Sequence, residues 1–307
     1  MIITNKHNLP EPLYRAIARD VQPRTGFSIT DVIQPPRMTQ LTRRHWDEIK
    51  EDASDRIWVL LGSSIHYILS HAMGEEEKEL GEASTEEMHG PEPDRQRAYF
   101  EQPLQAEIEG VIITAHPDAR YNHTIDDYKI TSVWNIIFQP KGRAEYHQQS
   151  NGYAYINYLV DGTIIKQLRI WAILRDWQAN KLKSEPDYPR IPIVKINIPV
   201  WPLEQTKRYL ETRVKLHKAA ETLPDGSLPL CMPDDMWQKP TTYAVMKPGK
   251  KSAVRVFTNE AAAITLSTKL GEGHQVQKRP GSRGRCERFC DVTHWCNQYK
   301  EYKCSAK

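Results

Sequence analysis

The stretch from Val111 to Lys129 restricts this chain more than any other. Val111-Ile112-Ile113-Thr114-Ala115 is a β-branched, apolar run of the kind a buried strand shows. Asn122-His123 supplies turn chemistry, and Thr124-Ile125 opens a second strand. Side chains alternate across a strand, so Asp127 and Lys129 project on one side and Tyr128 on the other. With Asp118 delivered by the neighbouring strand, the stretch forms a compact site for a hard divalent cation such as Mg²⁺ or Mn²⁺. Lys129 would stand beside that cation, able to orient or deprotonate a water or to stabilise charge building on a phosphate. The competing reading of the same residues is a charged hairpin in solvent, so the flanking sequence has to decide.

A chain of 307 residues has ample material for one large domain or two modest ones. With 39% hydrophobic residues and a mean hydropathy of −0.65, it reads as a soluble, rather polar globular protein. No apolar run approaches a membrane span, and Met1-Ile2-Ile3-Thr4-Asn5-Lys6 lacks the apolar core of a signal peptide, so a reducing cytoplasm is expected. The net charge of +3 is too small to establish a nucleic-acid partner, and Glu75, Glu76, Glu77 and Glu79 form an acidic patch.

Helices are expected over Leu13–Asp20, from Ser28, and through Thr42–Trp46. In the next helix Trp58, Leu61, Ile65, Ile68 and Leu69 repeat at helical spacing, so that face is expected to be core. His66 lies at its edge, either a core-edge histidine bonded to a carbonyl or a metal ligand that looks past Gly62. Residues 72–98 read as a loop, lid or insertion. Strands follow from Tyr99 to Gly110, with Glu107 and Glu109 on one face, more plausible as surface glutamates than as metal ligands. Gln149 and Tyr153 fall one turn apart on a helix. Leu168–Leu174 is a buried strand. Ile191–Pro199 is an edge strand with Val194, Ile196 and Ile198 inward. A long helix covers Glu204–Leu223, and Thr242–Met246 pairs with Ala253–Phe257 across the turn Lys247-Pro248-Gly249-Lys250-Lys251.

Of the five cysteines, four lie in the last 22 residues, a distribution that argues against a disulfide framework. Cys286, Cys290 and Cys296 read as a metal or cluster motif, with zinc or an iron–sulfur cluster as occupant. Cys231 or Cys304 would be the fourth ligand.

Pro117-Asp118 followed by Asp127-Tyr128-Lys129 resembles the PD-(D/E)XK signature of the restriction-endonuclease-like nuclease superfamily. Gly62-x-x-x-His66 resembles the histidine motif of its RecB-type members, and Gln149-x-x-x-Tyr153 resembles the element they carry after the Asp-x-Lys strand. The cysteine tail resembles the iron–sulfur branch that includes CRISPR-associated exonucleases and similar phage proteins. The likeness runs from about residue 60 to 300. It implies an α/β (α+β) fold with a mixed central sheet flanked by helices. The implied division is an N-terminal helical part (1–55), a nuclease core (56–225) and a cysteine-rich section (226–307). The implied activity is metal-dependent DNA exonuclease in phage recombination, repair or replication. A DNA-end-binding module or a structure-specific endonuclease are the alternatives. Asp118, Asp127, His66 and the Tyr128 carbonyl would hold Mg²⁺ or Mn²⁺, Lys129 would serve the attacking water, and Gln149 and Tyr153 would hold the strand. Cys286, Cys290, Cys296 and Cys231 would hold a cluster of the 4Fe-4S type. Zinc is the alternative occupant, with His294 a conceivable ligand to it, and Cys304 the alternative to Cys231. In much of that branch the remote cysteine precedes the nuclease motifs, whereas Cys231 follows them. The implied partners are DNA ends and a single-strand annealing or replication protein, with no membrane, in the cytoplasm of a bacterial host.

Overall fold

The alternation of Leu168, Ile170, Ala172 and Leu174, each buried, marks a strand that must sit inside a sheet. A computed structural model of the chain describes residues 1–19, 26–72 and 98–305. The expected 72–98 segment and its acidic patch therefore lie almost wholly outside the described residues. The chain begins β1 (Ile2–Thr4), α1 (Glu11–Ala18), β2 (Phe27–Ser28), α2 (Ile29–Ile33), α3 (Pro36–Arg44), β3 (Lys50–Asp52) and α4 (Ile57–His71). It continues with β4 (Ala98–Phe100), β5 (Leu104–Ile108), β6 (Val111–Ala115), β7 (Ala119–Tyr121) and β8 (Thr124–Thr131). Then come α5 (Val133–Phe138), α6 (Ala144–Asp161), β9 (Gln167–Leu174), β10 (Ile193–Ile198) and α7 (Leu203–Glu221). The remainder is β11 (Gln238–Lys239), β12 (Thr242–Met246), β13 (Arg255–Phe257), α8 (Glu260–Leu270), β14 (Gln275–Arg279), β15 (Ser282–Arg283), α9 (Gly284–Arg288) and α10 (Asn297–Ser305).

These elements pack as two compact units, one of residues 1–33 and 50–219, the other of residues 34–49 and 220–307. The N-terminal part expected over 1–55 is thus divided between them. In the first unit a five-stranded mixed sheet runs β10-β9-β8-β7-β4. The β8–β9 pair is parallel, so the chain needs a crossover between them, which α5 and α6 provide. β10 lies at the edge with Ile196 and Ile198 buried and Lys195 and Asn197 exposed, as the alternation requires. A second sheet, β2-β6-β5, carries the Val111–Ala115 run. That run is a strand, but it is not the partner of β8. The partner is the separate short strand Ala119–Tyr121, joined to β8 by a turn in which Asn122 takes a φ of 52°. Three residues suffice there because only Thr124 to Asp126 of β8 are paired on that side.

Local chemistry fixes the helix ends. Ser28 and Asp31 cap α2 reciprocally, Ser28 N–H donating to the carboxylate at 2.9 Å and Asp31 N–H to the hydroxyl at 3.1 Å. Gly162, at φ 75°, closes α6 in the left-handed conformation that favours glycine. Within α6, Gly152 lets α2 approach: a Cβ there would stand 2.9 Å from Ile29 Cγ2. The core gathers Ile29, Ile113, Ile125, Ile156, Leu168, Ile170 and Leu210.

The helix 57–71 forms as expected, but its apolar face is not core. None of its residues is buried, with Trp58 52%, Leu61 36% and Ile68 62% exposed, and Ile65 and Leu69 only half-buried. Helical periodicity reports an amphipathic helix, not what covers it. In the second unit Arg37 is 1% exposed and donates from Nε to the Pro229 carbonyl at 3.1 Å, with further bonds to the Leu228 carbonyl and the Asn297 side chain. A small antiparallel sheet, β13-β12-β14, packs against α8, its third strand not anticipated from the sequence. Among the described residues no helix is long and apolar enough to cross a membrane.

Candidate metal centre

The β7 ladder along β8 ends at Asp126, which leaves the next inward-facing positions to be served by something else. Asp118, just before β7, takes that place. Its Oδ2 accepts the Tyr128 N–H at 2.6 Å, so this carboxylate is buried without being orphaned. Asp126 faces the other way and is structural: it accepts Arg169 Nε at 2.6 Å and the Tyr121 hydroxyl at 2.5 Å. Asp127 and Lys129 share the opposite face, as the strand period requires, and their Oδ2 and Nζ stand 2.6 Å apart.

Asp127 is 1% exposed, and the Lys129 ammonium, 2.6 Å from its Oδ2, is its charged partner there. Burial pushes its carboxyl up to about 6, against the pull of the Lys129 ammonium, and the charge of Asp118 adds to the rise. Burial alone would lower Lys129, but Asp127 and Asp118 outweigh it and hold the ammonium well above its ordinary value.

From α4, His66 Nδ1 reaches Glu101 Oε1 at 3.0 Å and Asp118 Oδ1 at 3.2 Å. The Asp118 and Glu101 hydrogen bonds raise this imidazole to about 10 against the effect of burial. Among the described residues, His66, Glu101 and Asp118 are the group of three whose ligand atoms all lie within 4.8 Å of one another. Glu101 was not foreseen. β4 pairs with β7 so that Phe100 stands opposite Ala119, and the next residue's N–H donates to the Asp118 carbonyl at 3.0 Å. Only that register brings Glu101 to the site, and no local pattern announces it. Glu107 and Glu109 lie elsewhere, the first exposed and the second paired with Lys215 at 3.1 Å.

On α6, Gln149 Nε2 donates to the Tyr153 hydroxyl at 2.7 Å, one helical turn away. Burial, and then the charge of Asp127, push the Tyr153 phenol up to about 12, so this pair lies within electrostatic reach of the carboxylates. An open groove of about 550 Å³ runs beside His66, lined by Arg19, Val59, Gly62, Ser63, Tyr67, Ser70 and Glu101. The oxygen-rich trio of His66, Glu101 and Asp118 fits a hard divalent cation; Asp127 is not one of that group of three.

In the second unit Cys231, Cys286, Cys290 and Cys296 line one cavity together with Arg37, Met236 and Gln298. Cys304 is exposed on α10 and does not line it. His294 is likewise absent from the lining, and its ring packs edge-on against Trp295. Burial raises the Cys231 thiol to about 12 and Cys290 to about 11. Among the described residues no three of these sulfurs lie within 4.8 Å of one another, wider than the roughly 3.8 Å edge of a zinc tetrahedron.

Comparison with protein-family models finds no match, and comparison with curated proteins finds none. Among solved structures the chain is similar to one described as "Crystal structure of SSO0001", at 14% identity and a TM-score of 0.39, covering 67% of this chain and 83% of that one. A likeness that distant carries no argument about this chain.

Proposed function

We propose that the chain is a Mg²⁺- or Mn²⁺-dependent phosphodiesterase that hydrolyses DNA from its ends, with a PD-(D/E)XK centre. The observation that carries this reading is the buried Asp127, paired with Lys129 on one face of β8 and within electrostatic reach of Asp118 and His66. A buried carboxyl pushed upward by burial beside a specific charged partner is the kind of group that clusters where a cation and a phosphate are taken up. His66, Asp118 and Asp127 would hold the metal, with Glu101 added to the expected set and the Tyr128 carbonyl a further ligand. The bound cation would supply Lewis-acid stabilisation of the phosphate and a water of lowered pKa. Lys129 keeps its proton and would place positive charge against a non-bridging phosphate oxygen. Gln149 and Tyr153 would fix the strand by hydrogen bonds, and the groove along α4 would receive it.

In the same reading the four cysteines of the cavity hold an iron–sulfur cluster. Their common cavity supports Cys231 over Cys304. The test is digestion of end-labelled linear and closed circular DNA by protein purified without oxygen, with Mg²⁺ or Mn²⁺ added. Shortening of linear DNA alone is expected. Cutting of closed circles would make the protein an endonuclease, and no cutting of either would overturn the reading.

A further inference from the structure

Residues 239–279, which hold β12, β13, α8 and β14, carry eight lysines and arginines against two glutamates. Their formal charge is +6, while the whole chain carries only +3, so everything else is net negative. Some cations elsewhere are paired: Arg44 with Asp225 at 2.7 Å, Arg120 with Asp161 at 3.2 Å, Arg169 with Asp126 at 2.6 Å. Among the described residues none of the eight makes an ion pair. Arg255 lies over the Phe257 ring and Arg279 leans on Gln277, while Lys239, Lys247, Lys250, Lys251, Lys269 and Lys278 are exposed.

The topology gathers four of them at one end. The loop after β12 turns at Gly249, with Lys250 N–H donating to the Lys247 carbonyl at 3.1 Å. α8 runs back to the same end and carries Lys269 in its last turn. The following turn enters β14 at Gln275, opposite Met246, and a Cβ on Gly273 would stand 3.3 Å from Pro248 Cγ, so the two loops lie side by side. Lys247, Lys250, Lys251 and Lys269 thus share one tip, and the two loops that form it, residues 247–252 and 269–274, carry one acid, Glu272. Ammonium groups inside one Debye length, about 8–10 Å, repel one another, and a closely spaced polyanion relieves that repulsion.

We propose that this tip is a docking surface for the phosphate backbone of double-stranded DNA, engaged without regard to sequence. Sites for single strands add exposed aromatic platforms to their cations. Here the two aromatic residues of the module, Tyr243 and Phe257, are half-buried and face each other in the β12–β13 ladder. The tip offers charge alone, which suits the duplex, with one phosphate per about 1.7 Å of axis. That the polymer is DNA rests on the proposed hydrolase reading; the presence of the docking surface does not.

The test uses the full chain carrying Asp127→Asn, so that DNA stays intact, and a fluorescent duplex of about 30 base pairs titrated from roughly 50 to 250 mM KCl. Changing Lys247, Lys250 and Lys251 together to Gln should weaken binding about tenfold or more. The slope of log K against log salt should fall by about 0.9 for each phosphate that the variant no longer neutralises. The same three changed to Arg should keep the original slope, and Lys6, Lys166 and Lys207 changed together to Gln should leave it unaltered. Thermal melts establish that each variant is folded. An unchanged slope in the Gln triple would overturn the proposal, as would an equal loss of binding to single-stranded DNA. Loss of binding to anionic phospholipid vesicles with the DNA slope intact would make the tip a membrane-binding surface instead. Failure of the wild type to cut DNA would overturn the hydrolase reading and leave this slope measurement standing.

Discussion

Asp118 and Asp127 are both buried, yet they are not equivalent. Asp118 accepts a backbone N–H at 2.6 Å, so it serves the sheet as well as the site, while Asp127 is paired with the Lys129 ammonium at 2.6 Å. Asp127→Asn should lower cleavage by several orders of magnitude, and because it leaves the buried Lys129 ammonium without its partner it should also lower the melting temperature. Asp118→Ala should also destabilise the fold, by about 1–3 kcal/mol, because the Tyr128 N–H loses its acceptor. Denaturant titration beside single-turnover cleavage checks both variants, and full cleavage by Asp127→Asn would contradict the assignment. His45 offers a titration away from that centre. Burial lowers it, but its bonds to Asp225 at 2.8 Å and Glu48 at 2.7 Å outweigh this, and the net shift is upward from 6.5. A group whose folded value is raised contributes stability that is complete below its unfolded value and is lost as pH rises through the folded one. The stability difference between wild type and His45→Gln should be constant below about pH 6.5 and shrink above it. It should not exceed about 1 kcal/mol for a pair this open to solvent. Because His45 stacks on Trp295 at 4.4 Å, tryptophan fluorescence can follow the same proton.

At the scale of elements, α4 shows where sequence and structure part. Its periodicity predicts a helix, and the helix forms, but no pattern of residues says which neighbours will cover it. The Asp-x-Lys strand was legible because a period of two needs no tertiary information, and the same holds for β9 and β10. The Gln149–Tyr153 pair was legible for the same reason at helical spacing. Glu101 was not, since its place follows from a ladder between strands about twenty residues apart in sequence. Nor was the Ala119–Tyr121 strand, too short to carry a pattern. The groove beside α4 gives a prediction at this scale. Gly62 has nothing within 4 Å of where a Cβ would sit, and it is helical. Gly62→Leu should keep or raise the melting temperature, by up to about 1 kcal/mol of helix propensity. It should also raise KM for DNA with little change in kcat, as loss of uniform binding does. A variant with unaltered KM would show that substrate does not run along α4.

For the whole molecule, the second unit is held by side chains that converge from far apart in the sequence. Cys231 meets Cys286, Cys290 and Cys296 on one cavity, and the proposed cluster, held there, would add its binding energy to the folding of the unit. Cys231→Ser should therefore lower the thermal stability of the unit and remove visible absorption from anaerobically purified protein. Cys304→Ser should do neither, since that thiol is exposed and away from the cavity. Metal and sulfide analysis of both variants checks this, and a cluster lost only in Cys304→Ser would move the fourth ligand to α10. Arg37 belongs to the same convergence, with an acceptor on Asn297, 260 residues further along the chain. During synthesis that guanidinium leaves the ribosome long before its acceptors do. The second unit therefore cannot close while the chain is still being made, whereas all of the first unit has been translated by residue 219. Maturation of the cysteine cavity is thereby deferred until translation is nearly over, and a nascent chain stalled before Asn297 would carry the first unit with its companion still open.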